Sequence, residues 1–199
     1  MRLFYHAGAI PYYHHAVRCF AALDLPPPVL NHIVKVSGPL RERYDIRWVA
    51  RDQLRMTLMF AGELPDENAD HLLDIVEDIE LPPLSLSLDR FGAFPPKGMP
   101  RVVWAGFGGD VEARTRVQEE LTERAEPLGV DREKRGFTPH VTLGRVQGQF
   151  GLLALIDQMK GLSEELNQKP FSPTALTLFR STLTPSGPIY EVMLRRPLR

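Results

Sequence analysis

Hydrophobic positions in this chain fall into short blocks cut by proline, glycine and charged joints, with few long amphipathic stretches. Residues 17–25, VRCFAALDL, form an apolar run halted by Pro26-Pro27-Pro28, as expected of a buried strand with a hard stop. Pro27 or Pro28 then opens a helix in which Val29, Ile33, Val34 and Leu40 lie near helical spacing, interrupted at Gly38-Pro39. Residues 46–64 read as two short strands joined by a polar turn at Arg51-Asp52-Gln53. The most regular helix is 66–80. Acids crowd its first turn, Asp66 is placed to cap it, and Leu72, Leu73, Ile75, Val76 and Ile79 form an apolar stripe.

Period-two alternation returns at 84–91, LSLSLDRF, and a Gly/Pro-rich loop leads to a further strand, RVVWAGF, at 101–107. A second amphipathic helix starts at Asp110, runs through Val117 and Leu121, and ends by Pro127 and Gly129. A strand at 139–146, a short helix at 152–162 and a closing hairpin about Pro185-Ser186-Gly187-Pro188 complete the pattern. Strand pairs interleaved with helices predict an α+β fold with antiparallel sheets. A strand–helix–strand unit ending in x-[MV]-T-L occurs near residue 57 and again near 142, which suggests two related halves.

Composition narrows the function. With 199 residues, 43% hydrophobic and 25% charged, the chain can bury a sizeable core. A formal net charge of −1 argues against nucleic-acid binding through bulk charge, so any RNA contact must be local. No run approaches a membrane span, residues 1–16 read as an extension or edge strand, and a lone cysteine, Cys19, suits a reducing compartment. The cytoplasm is therefore the expected location. No phosphate-binding glycine loop and no metal-spaced cluster is present in the sequence.

The chemistry concentrates in two strands. In PHVTLGR, His140 and Thr142 project to one face while Val141 and Leu143 face a core. In RMTL, Arg55 and Thr57 share a face in the same way. Two such strands facing one cleft surround an anion from both sides, as in-line displacement at phosphorus requires. These segments, with FAALDLP (20–26), WVARDQLRMTLMFAGEL (48–64), RFGAFP…RVVWAGF (90–107) and GFTPHVTLGRV (136–146), resemble the two-histidine phosphoesterase superfamily, and within it the LigT-type RNA 2′,3′-cyclic phosphodiesterases, also called 2′-5′ RNA ligases. The resemblance implies one bilobal domain over 1–199. Two pseudo-symmetric lobes, each an antiparallel sheet backed by helices, would hold the active site in the cleft between them. It implies hydrolysis of RNA 2′,3′-cyclic phosphate ends to a 2′-phosphate without metal or nucleotide cofactor, with weak reverse ligation, by a monomer needing no protein partner or membrane.

The chain departs from that pattern at one position. The family has histidine where Arg55 stands, and a guanidinium keeps its proton and cannot relay one. Losing one proton-transfer group costs about 10²–10⁴ in rate. Three readings stay open: a slower esterase using Arg55 electrostatically, a binding protein for phosphorylated RNA ends, or a laboratory variant of an active enzyme. Candidate catalytic residues are His140, Thr142, Thr57 and Arg55. Candidate substrate-binding residues are Arg135, Arg145, Arg101 and Phe60, with Phe91, Phe94 and Phe137 as further stacking candidates.

Overall fold

The computed structural model describes residues 16–132, 136–148, 151–167, 169–185 and 187–198. Strand β1 (Ala16–Asp24) lies between β3 (Met56–Pro65) and β7 (Ala175–Thr184), antiparallel to both. Covered on both faces, it buries every residue from Cys19 to Leu23, and so its sequence is a continuous apolar run rather than an alternation. Cys19, Ala21 and Leu23 enter the main core. Phe20 and Ala22 point the opposite way and join Phe179 in a separate small cluster against Tyr190. β8 (Gly187–Pro197) pairs with β7 and closes this half as an edge strand.

The second half comprises β4 (Leu86–Phe94), β5 (Val102–Gly109), β6 (His140–Val146) and β2 (Ile46–Trp48), again antiparallel. The two strands expected within 46–64 both form, with a 3-10 turn at Arg51–Gln53, yet they do not pair with each other. β2 crosses to β6, where Arg47 faces Arg145 and Trp48 faces Gly144, while β3 stays in the first half. One backbone pair, Met56 of β3 with Val141 of β6, joins the halves. The eight strands thereby form one sheet in the order β4-β5-β6-β3-β1-β7-β8, with β2 on β6. The expected two lobes are thus two antiparallel four-stranded halves meeting at a seam.

Helix α3 (Asp66–Asp78) buries Ala69, Leu72 and Val76 against the back of the first half, and α4 (Val111–Ala125) packs beside it. Helices α1 (Pro27–Val36), α2 (Gly38–Arg43) and α5 (Leu152–Leu166) back the second half. One capping expectation needs correction. Asp66 is the first residue of α3 rather than its cap; Pro65 holds that place and makes no side-chain cap bond, so Asp66 acts on the helix only through its charge at the positive end. Asp110 does precede α4, but its carboxylate accepts the Ser85 backbone N–H (2.7 Å) instead of one from its own helix. His32 of α1 brings Nε2 to the Glu165 and Leu166 carbonyls at the end of α5 (3.0 and 3.2 Å). Arg196 donates to the Val76 and Ile79 carbonyls at the end of α3, satisfying acceptors the helix leaves open.

Met56 is fully buried at the seam. Met56→Ala is expected to cost about 2–5 kcal/mol of stability, read as a lowered urea midpoint with an unchanged slope.

Candidate active site

The seam brings the two sequence motifs together. Met56 and Val141 are both fully buried and paired, so the residues flanking them project from the opposite face of the sheet. Continuing the register by one residue in each direction sets Thr57 across from His140 and Arg55 across from Thr142. The four candidate catalytic residues therefore border one cleft.

On the second-half wall, His140 is largely enclosed by aromatic rings. Its imidazole stands edge-on to Phe94 (centroids 5.0 Å) and tilted against Trp104 (6.1 Å). Its Nδ1 lies 2.7 Å from the Thr138 carbonyl oxygen. A carbonyl only accepts, so Nδ1 carries the proton of the neutral ring and Nε2 keeps its lone pair. Desolvation lowers the imidazole pKa below its ordinary 6.5, partly opposed by that hydrogen bond, and holds the ring neutral near pH 7. Trp104 pairs with Gly92 on β4 and Thr142 on β6, and Gly106 pairs with His140. A Cβ at Gly92 would collide with the indole, and one at Gly106 would come within 2.9 Å of it. The indole thus lies flat on two glycine backbones, with the Arg90 guanidinium 5.9 Å from its centroid.

The first-half wall is cationic. Arg55 Nη2 donates to the Asp52 carbonyl (2.9 Å), and its guanidinium carbon stands 4.0 Å from the Phe179 ring centroid and 5.2 Å from that of Tyr190. The side chain crosses the sheet over the small Ala22, which Thr57 and Thr177 flank as cross-strand partners. Nε and Nη1 of Arg55 are buried donors without an acceptor among the described residues. Burial lowers the guanidinium pKa, and the charge of Asp24, then of Tyr190 and Asp52, opposes that shift. Asp24 Oδ2 accepts from the Thr177 hydroxyl (2.9 Å) and from Arg195 Nε (3.0 Å).

The other sequence candidates scatter. Phe60 is 65% exposed on the same wall, 5.8 Å from Phe20. Phe94 touches His140, whereas Phe91 is buried in the main core and cannot stack on a base, and Phe137 packs against that core partly buried. Arg101 is exposed just before β5 and shares its backbone with Phe94 and Val146. Arg145 is exposed on β6, and because the β5–β6 register shifts between Val103 and Trp104, it stands opposite Val102 on the same face as Trp104, Thr142 and His140. Arg135 lies outside the described residues. Sequence reasoning missed Trp104, Tyr190, Phe179, Asp24 and Arg195. Only Trp104 left a signal, the glycines within RFGAF and VWAGFGG. Cys19 is buried, which pushes its thiol pKa up to about 11, so it is no nucleophile. Among the described residues no group of three or more His, Cys, Asp or Glu could hold a metal, and no helix is long and apolar enough to cross a membrane. A concavity of about 660 Å³ lies away from both motifs, lined by Arg18, Glu63, Asp66 and Arg180 among others. It holds none of the motif residues.

Two antiparallel half-sheets, each turning an [Arg/His]-x-Thr strand into a shared cleft, have the architecture of a phosphoesterase with paired motifs. The chain belongs to the 2′-5′ RNA ligase superfamily, whose family model matches residues 25–184. It is 30% identical over 184 residues to the RNA 2′,3′-cyclic phosphodiesterase of Methanocaldococcus jannaschii, across 89% of this chain and 98% of that one. The crystal structure of a Thermus thermophilus protein superposes with a TM-score of 0.74 at 27% identity, covering 92% of this chain and 98% of that one. E. coli LigT complexed with 3′-AMP gives 0.72 at 25% identity with the same coverage.

Gly92→Val is expected to lift the Trp104 indole off the strand and to destabilise the fold by about 1–3 kcal/mol. Tryptophan fluorescence and thermal unfolding would report both, and an unshifted emission with unchanged stability would contradict the packing described.

Proposed function

We propose that this chain hydrolyses 2′,3′-cyclic phosphates at RNA ends, leaving a 2′-phosphate, with His140 as its one proton-transferring side chain. The reading rests chiefly on the Met56–Val141 pairing, which sets a neutral histidine with a free Nε2 beside two threonines and a fixed cation. The relatives' printed activity, across nearly the whole chain, supports the reaction class.

In this scheme Nε2 of His140 takes a proton from water as its oxygen attacks phosphorus. The bond from phosphorus to the ribose 3′ oxygen breaks, and that oxygen, leaving on the far side, takes a proton from solvent. Thr57 and Thr142 donate to the equatorial oxygens, and the Arg55 charge offsets the negative charge building there. A single histidine cannot serve both ends of an in-line displacement, so turnover is slower than with two by about 10²–10⁴. The reverse step, joining RNA ends through a 2′-5′ bond, is a minor route in water. A second reading, a binding protein for phosphate-ended RNA, draws on Arg55 itself, which can hold an anion but not move a proton.

His140→Ala is expected to reduce conversion of a cyclic-phosphate oligonucleotide by at least about 10² in a chromatographic assay with chelator and without ATP. Unchanged conversion would sink the mechanism. Because the base must be neutral and its pKa is depressed, kcat/KM is expected to rise with pH through a midpoint below 6.5. Arg55→His is expected to raise turnover at least about tenfold by restoring a second proton-transfer group. A flat or lower rate would mark Arg55 as a specialised anion holder.

A further inference from the structure

Resting on that reading of the cleft, we propose that Arg195 is a second anion-binding residue. Its ligand is the phosphodiester on the 5′ side of the nucleotide carrying the cyclic phosphate, so that the cleft prefers an RNA chain to a lone nucleotide.

The placement follows from strand register. Thr57, Ala22, Thr177 and Arg195 are successive direct cross-strand partners on β3, β1, β7 and β8, so all four side chains stand on the cleft face. The next residue, Arg196, goes to the back and engages the end of α3, as alternation requires. Arg195 sits on the edge strand, half-exposed, with its side chain turned back over the sheet. Its Nε bonds Asp24 of β1 (3.0 Å), so the side chain runs inward over β7. The guanidinium then hangs one to two strand spacings from Thr57, about 5–10 Å.

The same bond settles which donors remain. Asp24 holds Nε and also accepts the Thr177 hydroxyl, which fixes the carboxylate in turn. Nη1 and Nη2 of Arg195 have no acceptor among the described residues, and the side chain is 50% exposed. A guanidinium held at Nε with its two terminal nitrogens open is arranged to take an anion with both. Arg55 and Arg195 both lie in the field of Asp24, and Asp52 adds a second negative charge near Arg55 but none at Arg195.

Substrate chemistry then names the anion. A 2′,3′-cyclic phosphate occupies both lower oxygens of the last ribose of an RNA. The neighbouring phosphorus is on that ribose's 5′ oxygen, and a free nucleoside cyclic phosphate lacks it. Arg195 is thus a specificity-determining residue for chain ends.

The test compares equilibrium binding of adenosine 2′-phosphate with that of the diadenosine dinucleotide ending in a 2′-phosphate, using the full chain. The wild-type protein is expected to bind the dinucleotide at least about tenfold more tightly, the scale of one charged hydrogen-bonded contact. Arg195→Gln is expected to bring that ratio close to one and to flatten the salt dependence of dinucleotide binding by about 0.7 in log–log slope, one phosphate contact on a single strand. Should Arg195→Gln fold poorly, Arg195→Met keeps the aliphatic stem over β7 and reads the same ratio. A ratio that survives either folded variant, or an equal weakening of both ligands, would show Arg195 to be only an ion-pair partner of Asp24 and would overturn the proposal. Turnover of the matching cyclic phosphates, measured in parallel, separates the two readings. Absent turnover defeats the phosphodiesterase reading while the binding ratio still judges Arg195.

Discussion

The cleft depends on a single backbone pair. Met56 and Val141 are the contact by which two four-stranded halves become one sheet, and both side chains are fully buried. Because strand faces alternate with period two, a slip of one residue on either strand would bring Met56 or Val141 into the cleft and drive His140 or Arg55 toward the core. The core cannot accept that exchange without burying an unpaired polar ring or a charge. Hydrophobic packing behind the sheet therefore fixes the geometry of the polar groups in front of it.

The two walls that result are unequal in chemistry. The second half sets a neutral imidazole against Phe94 and Trp104, where burial lowers its proton affinity and the Thr138 carbonyl fixes its tautomer. The first half lays a permanent cation over Phe179 and Tyr190 and balances it with Asp24. One wall can move a proton and the other can hold charge. Where the family resemblance implied a histidine in each motif, this chain has His140 on one wall and Arg55 on the other.

Much of this was legible in the sequence because it follows from short-range pattern. The strands at 17–25, 101–107 and 139–146, the break at Gly38-Pro39 and the shared faces of Arg55/Thr57 and His140/Thr142 all follow from spacing alone. Bulges were not legible. On β4 the register with β5 shifts between Leu88 and Phe91, so the core-facing parity changes, and Phe91 enters the core while Phe94 meets the histidine. On β3 a shift opposite Ala21 and Ala22 turns both Leu58 and Met59 inward and lets Phe60 join the wall of Thr57, which strict alternation forbids. Partner choice was also hidden. Nothing in the apolar pattern of 46–64 says that β2 leaves β3 for β6, and the Asp24–Arg195 link spans most of the chain.

The helices trade sides. β1 belongs to the first half, yet the α1 that follows it packs with α5 behind the second; β5 belongs to the second, yet the following α4 packs on β3 and α3 behind the first. Each half therefore borrows part of its backing from chain that enters through the other. Neither could be excised as a working fragment, and a ribosome must deliver nearly the whole polypeptide before either sheet is covered. Such long-range closure favours slow folding, and it ties the opening of the cleft to the integrity of both layers at once.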